Sequence, residues 1–128
     1  MTCAVIGDSI ALMIAPFLDR CAVDAKVGEH VAQIVGRVHD ADVVVVSAGS
    51  NDADYNDLAA NLEKVRARCS HRVLWILPAL DRPRRLVTAI ALKHGDAAVS
   101  FVADPKDGVH PLRPARLALD IRSEFLPK

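Results

Sequence analysis

The chain has 128 residues and a mass of 13.8 kDa, and 52% of its residues are hydrophobic while 25% are charged. This length and composition predict one globular domain spanning residues 1–128, and they exclude a multidomain, fibrous or disordered protein. Sixteen basic side chains balance sixteen acidic ones. The chain therefore lacks the positive field that holds a polyanion, and no nucleic-acid partner is expected.

The cysteines and the hydropathy pattern predict the cellular compartment of the protein. Cys3, Cys21 and Cys69 are odd in number and far apart, which predicts reduced, buried thiols in a reducing compartment and no zinc or other metal site. Apolar runs fall short of the about 18 residues that cross a bilayer, so no membrane partner is expected. The first residues lack the basic region and cleavage site of an export signal. This predicts a cytoplasmic protein, although a mature chain whose signal had been removed would look the same.

Short β-branched runs alternate along the chain with longer stretches of helical period. Residues 42–47 include four consecutive valines, which is typical of a strand covered on both faces. Residues 29–38 place apolar side chains three and four positions apart, as an amphipathic helix does. In chain order the pattern predicts strand 3–6, helix 10–20, strand 22–27, helix 29–38, strand 42–47, helix 55–69, strand 73–77, helix 84–94, strand 98–102 and helix 111–125, with Pro111 in the first turn of the last helix.

Five strands that alternate with five helices predict an α/β protein with a parallel sheet. Right-handed crossovers then place helices on both faces of the sheet, which gives a three-layer α/β/α sandwich. The expected strand order is 2-1-3-4-5. In such sheets ligands bind beyond the carboxyl ends of the strands, where the winding direction reverses, which here lies between the first and third strands.

Polar clusters follow the first, third and fifth strands, so they are expected to meet at that edge. Ser9 lies at a strand-to-helix turn, where its backbone N–H can donate to an oxyanion. His110 can act as a general base, and Asp107 can orient its imidazole from three residues away. Asn51 offers an amide donor to the same oxyanion. Together these residues predict nucleophilic acyl chemistry.

Other polar residues near this edge have simpler expected roles. Asp8 is expected to cap the first helix, and Asp52 is expected to stabilise a loop or a helix end. His30 is a candidate substrate contact at the same edge. Arg82, in an arginine-rich turn after the fourth strand, is a candidate contact for an anionic group. The alternative for these arginines is a solvated helix face.

The polar motifs resemble those of the SGNH hydrolases, also called GDSL esterases and lipases. Residues 7–10, Gly-Asp-Ser-Ile, are similar to the family's first block, with isoleucine where leucine is usual. Residues 49–52, Gly-Ser-Asn-Asp, match its G-x-N-D block, and residues 107–110 match its D-x-x-H block. The resemblance implies that Ser9 is the nucleophile, His110 the base and Asp107 the acid. It also implies an oxyanion hole made by the Ser9 N–H, the Asn51 amide and a glycine N–H.

The glycine block of the family is matched less closely. Gly28, after the second strand, corresponds to the oxyanion-hole glycine, but the asparagine or serine that often precedes it is absent. Gly36 is the other option, within a helical stretch. The chain is also shorter than many members of the family, with little loop sequence to build a substrate pocket.

The resemblance implies a flavodoxin-like SGNH-hydrolase fold and a serine ester hydrolase that needs no cofactor. The short loops predict an open, shallow site that favours small-molecule or glycan esters with short, acetyl-type acyl groups. An acyltransferase or a thioesterase would use the same residues. A non-catalytic module that binds a glycan or a protein is a further alternative. A flavodoxin-like nucleotide-binding domain is another, although the first loop has too little glycine for a dinucleotide fingerprint. The oligomeric state is left open.

Overall fold

The computed structural model describes residues 1–125, and strands alternate with helices throughout this range. In chain order the elements are β1 (Cys3–Gly7), α1 (Ser9–Ile14) with a 3₁₀ turn (Ala15–Phe17), β2 (Ala22–Ala25), α2 (Val31–Ile34) with a 3₁₀ turn (Val35–Arg37), β3 (Val43–Ser47), α3 (Leu58–Ala67), β4 (Arg72–Ile76), α4 (Asp81–His94), β5 (Ala97–Val99) and α5 (Pro114–Phe125). Within residues 1–125, no helix combines the length and the apolar character that crossing a bilayer requires.

The five strands form one parallel sheet in the order β2-β1-β3-β4-β5. The predicted α/β class and strand order are therefore confirmed. β3 lies at the centre, and its residues 43–46 are fully buried, as expected for valines in a strand covered on both faces. The register pairs Gly7 with Ser47. The carboxyl ends of β1 and β3 are consequently level, and the segments that follow them begin side by side.

Helices cover both faces of the sheet. Val43 and Val45 belong to one core and Val44 and Val46 to the other, following the two-residue period of a strand. The core beneath α1 and α5 includes Ile10, Ile14, Leu117 and Ile121, and the core beneath α2, α3 and α4 includes Ile34, Leu62, Val65 and Val87. The two cores on opposite faces make the predicted three layers.

All ten predicted elements differ from the observed bounds at one end or both, and two of these differences have a clear physical cause. The helix predicted over 10–20 ends as an α-helix at Ile14, and Pro16 then lies in a 3₁₀ turn, since proline cannot donate the hydrogen bond that would continue the α-helix. The last helix begins at Pro114. The prediction that Pro111 occupies its first turn is wrong, because Pro111 pairs with Ala103 in an antiparallel bridge.

Two of the three cysteines form a disulfide, which corrects the expectation of reduced thiols. Cys3 and Cys21 are bonded, with their Cα atoms 4.5 Å apart, because β1 and β2 pair in parallel from Ala4 and Ala22 onward. Closing a loop of this length stabilises the fold by about 3 kcal/mol in the chain-entropy account. Such bonds persist in oxidising compartments, so the cysteine count no longer supports a reducing one. Cys69 is a buried free thiol, as expected.

Candidate active site

Four loops at the carboxyl ends of the strands form the candidate site. They carry Ser9 after β1, Gly28 and His30 after β2, Asn51 after β3, and Asp107 and His110 after β5. Hydrogen bonds join the last residue of β1 to the loop after β2, join Ser9 to the loop after β5, and join the loop after β2 to that after β3. The loops therefore meet where the winding of the sheet reverses, which is the usual ligand position in this architecture.

Ser9, His110 and Asp107 form a continuous hydrogen-bonded series. The Ser9 Oγ lies 2.7 Å from His110 Nε2, and His110 Nδ1 lies 2.7 Å from Asp107 Oδ2. Because an ionised carboxylate accepts but does not donate, Nδ1 carries the proton, and Nε2 is left to accept from the serine hydroxyl. The series has the geometry of a nucleophile, a general base and an orienting acid.

The loop that carries Asp107 and His110 is built around the Asp107 carboxylate. Its Oδ1 accepts from the backbone N–H groups of Val109 and His110, at 2.9 and 3.1 Å. Gly108 turns the chain between them with a φ of 67°, which glycine adopts without strain. The bonds from the Val109 N–H, the His110 ring and the His110 N–H lower the pKa of Asp107 to about 2. Asp107 therefore stays ionised at neutral pH.

Asp8 caps the helix that begins at Ser9, as expected. Its Oδ1 accepts from the Ile10 N–H at 3.1 Å and from the Ser47 hydroxyl at 2.8 Å. The side chain is buried, and Oδ2 has no hydrogen-bond partner within residues 1–125. Burial raises the pKa of Asp8 to about 6, against the opposing effect of the bonds from Ser47 and Ile10. At neutral pH the fold thus holds a desolvated carboxylate next to Ser9.

Replacing Asp8 by asparagine should remove a pH dependence of stability. The folded-state pKa of about 6 lies above the ordinary value of 3.8. Between these values the folded state binds a proton that the unfolded state releases, so this group makes wild-type stability fall as pH rises. The difference in pKa is equivalent to about 3 kcal/mol. Urea unfolding from about pH 4 to about pH 8 should show Asp8→Asn gaining that amount over wild type; a constant difference would contradict this account.

The three donors predicted for an oxyanion are free to act. The Ser9 N–H is in the first turn of α1, where no intrahelical acceptor exists. Gly28 is exposed with a φ of 76°, and its N–H has no acceptor within residues 1–125. Asn51 Nδ2 donates to the Glu29 carbonyl at 3.0 Å, which leaves its second amide hydrogen available. Gly36, the other candidate glycine, lies in the 3₁₀ turn after α2.

His30 is held between two neighbours at this edge. Its Nδ1 lies 3.3 Å from Asp52 Oδ1, and its ring stacks on that of Tyr55 with the centroids 4.7 Å apart. Asp52 also accepts from the Val31 N–H at the start of α2, which makes it the helix-end carboxylate expected. Burial raises the pKa of Asp52, and the Val31 and His30 contacts oppose that rise. Within residues 1–125, no group of histidine, cysteine or acidic side chains is placed to hold a metal ion.

Arg82 contacts the loop after β3. Its Nη1 donates to the Ala53 carbonyl at 2.8 Å, two residues beyond Asn51. Arg84 and Arg85 instead pair with Asp81 on the exposed side of α4, which is the solvated-face alternative. Arg82 is thus the arginine of this group that borders the loop carrying Asn51.

The sequence analysis did not single out Glu29, its partner Arg37 or Tyr55. Glu29 is buried and its Oε1 accepts from Arg37 Nη2 at 2.6 Å. Tyr55, expected within a helix, lies in the loop before α3. A glutamate beside a glycine turn gives no sign of burial in the sequence. The sequence feature that could have indicated the buried pair is Arg37, eight positions later, in a stretch that was otherwise expected to pack by its apolar face.

Comparison with known proteins places the fold. The chain is a five-stranded parallel α/β protein with a serine, a histidine and an aspartate bonded in series at the sheet edge. No protein-family model and no curated protein matches its sequence. Among solved structures, it is similar to a Bacteroides fragilis protein described as a "putative acylhydrolase", with a TM-score of 0.66 and 18% identity, covering 96% of this chain and 84% of that one. At this identity the likeness establishes a shared fold.

Proposed function

We propose that this protein is a serine ester hydrolase of the SGNH (GDSL) type. The observation that carries the proposal is the series from Ser9 Oγ through His110 to Asp107, with 2.7 Å at each step. The motif resemblance and the fold shared with the Bacteroides fragilis protein support the same class. A hydroxyl that shares its proton with a carboxylate-oriented imidazole is the arrangement that acyl transfer requires.

The reaction follows from the direction of the hydrogen bonds. Ser9 Oγ attacks the acyl carbonyl while its proton passes to His110 Nε2, and Asp107 stabilises the imidazolium that forms. The N–H groups of Ser9 and Gly28 and the Asn51 amide receive the oxyanion. His110 then gives the proton to the departing alcohol, which leaves an acyl-enzyme. Water, deprotonated by the same imidazole, releases the acid and restores Ser9. These side chains need no cofactor for any step.

We infer that the substrates are small-molecule or glycan esters with short acyl groups. The side chains of His110 and Asp107 expose 35% and 45% of their surface, as in a shallow site and unlike an enclosed acyl tunnel. His30 keeps 37% of its side chain exposed. We propose that His30 and Arg82 contact the alcohol portion of the substrate, since they border the loops that carry Gly28 and Asn51.

Labelling with a fluorophosphonate tests the nucleophile without knowledge of the substrate. The reagent should add once to the wild-type protein, as read by intact mass, because His110 activates Ser9. Ser9→Ala and His110→Ala should abolish the adduct. Ser100→Ala, outside the series, is the matched control and should retain it.

The labelling result decides between the proposed classes. An adduct lost in both site variants leads to a panel of esters, on which the rate should fall steeply from acetyl to octanoyl groups. Product analysis with added alcohols then separates hydrolysis from acyl transfer. An unlabelled protein that is folded by circular dichroism would overturn the ester hydrolase and favour the glycan- or protein-binding module.

A further inference from the structure

We propose that the ion pair between the buried Glu29 and the partly exposed Arg37 positions the oxyanion-hole donors, an inference that rests on the proposed ester hydrolase. Glu29 directly follows Gly28 in the loop after β2, and only 4% of its surface is exposed. Its Oε1 accepts from Arg37 Nη2 at 2.6 Å. Both residues are positioning residues in this account, since they act on Gly28 and Asn51 and not on the substrate.

The pair links the loop after β2 to β2 itself, which is an outer strand of the sheet. Arg37 also donates through Nη1 to Asp24 Oδ1, at 2.8 Å, and Asp24 belongs to β2. These two bonds raise the pKa of Arg37, the bond to Glu29 most, so the guanidinium keeps its charge. One guanidinium thus bridges a strand of the sheet and the middle of the loop, a fork geometry that arginine provides and lysine does not.

Few other hydrogen bonds fix the centre of the loop: the Glu29 N–H bonds to the Lys26 carbonyl at 3.4 Å, within the loop itself. The Lys26 N–H bonds to the Gly7 carbonyl at one end, and the Val31 N–H bonds to Asp52 at the other. Gly28, whose N–H is proposed to meet the oxyanion, is exposed, and a Cβ built on it would meet no atom within 4 Å. The side chain of the next residue, Glu29, is buried in the protein.

The same residue orients the second donor. Asn51 Nδ2 donates to the Glu29 backbone carbonyl at 3.0 Å. The amide oxygen of Asn51 has no hydrogen to donate to the Glu29 carbonyl, so this contact decides which end of the Asn51 amide is the nitrogen. A displacement of Glu29 therefore moves the Gly28 peptide and turns the Asn51 amide together.

This coupling predicts a defect confined to the chemical step. Oxyanion donors act when they lie about 3 Å from the developing charge, and a displacement of about 1 Å can lower the rate by about 100-fold. Because these donors bind the transition state more strongly than the ground state, their displacement lowers kcat and leaves KM nearly unchanged. Deleting a contact that serves stability alone would not produce this split.

The test compares Arg37→Gln with Arg66→Gln in the full chain. Arg66 makes a similar partly buried pair with Asp96, at 2.7 Å. Asp96 directly precedes β5, so this pair lies at the amino ends of the strands, away from the candidate site. Arg37→Gln should lower kcat on an acetyl ester and the rate of fluorophosphonate labelling by about 10-fold to 100-fold, with KM within about twofold of wild type. Arg66→Gln should lower the melting temperature and leave kcat within about twofold. Arg37→Lys, which keeps the charge beside Glu29, should recover part of the loss.

A second measurement separates this proposal from the proposed function. The side-chain amide signals of Asn51 in an NMR spectrum should shift in Arg37→Gln and stay in place in Arg66→Gln. Unchanged Asn51 signals, or a kcat retained within about twofold in Arg37→Gln, would overturn the positioning role. A wild-type protein that neither labels nor hydrolyses esters would overturn the hydrolase instead, and the Asn51 signals would still show whether the pair controls this loop.

Discussion

Replacing Asp107 by asparagine should lower kcat by about 10⁴-fold and leave the fold intact. The two backbone N–H groups that bond to Oδ1 require an acceptor there, so the asparagine carbonyl oxygen takes that place. The amide nitrogen then faces His110 Nδ1. Since that nitrogen only donates, Nδ1 must accept, and the imidazole proton moves to Nε2. An imidazole protonated at Nε2 cannot take the proton of Ser9.

The matched control for this substitution lies in the same loop. Asp104 Oδ1 accepts from the Lys106 N–H at 2.9 Å, and asparagine can make the same bond. Asp104→Asn should therefore leave kcat unchanged. Both variants are measured on an acetyl ester, with circular dichroism and thermal melting to establish that they fold. A loss of less than about 10-fold in Asp107→Asn would mean that the carboxylate does not set the tautomer of His110.

The sheet and the neighbourhood of the series could be predicted because both depend on local patterns. Strand 43–47 is visible as a run of valines, and parallel strands of similar length end at the same edge. Polar residues placed directly after neighbouring strands of this kind lie close together once the strand order is known. Ser9 and His110 are in contact across 101 positions of the chain, but β3 and β4 lie between β1 and β5, so this contact also requires the segment after β5 to return toward β1.

The features that the sequence did not predict depend on contacts between distant segments. Cys3 and Cys21 are joined because β2 pairs with β1 in one particular register, and a count of cysteines contains no information about register. Glu29 is buried because Arg37 returns to it after a helical turn; residue type alone predicts an exposed carboxylate. Pro111 is extended because it pairs with Ala103, although a proline before a helical pattern is a usual first-turn residue.

Replacing Gly7 by alanine should destabilise the fold by more than about 4 kcal/mol. Gly7 ends β1 with a φ of 138°, and a Cβ there would lie 1.9 Å from the Ser47 carbonyl oxygen. Ser47 belongs to β3, which is paired on both sides and buried on both faces, so its backbone cannot retreat. A small domain has a total stability of about 5–15 kcal/mol. The variant should therefore unfold at a much lower urea concentration than wild type.

The matched glycine control is Gly36→Ala, because a Cβ at Gly36 would meet no atom within 4 Å and its φ is not positive. It should change stability by less than about 1 kcal/mol. If Gly7→Ala unfolded at the same urea concentration as wild type, β1 and β3 would be able to separate at this point.

The close approach at Gly7 also lets the Asp8 N–H bond to the Ser47 carbonyl, which sets where α1 begins. The glycine of this motif is thus required by the sheet and the serine by the proposed chemistry, so Gly7→Ala should reduce stability and Ser9→Ala should remove labelling alone.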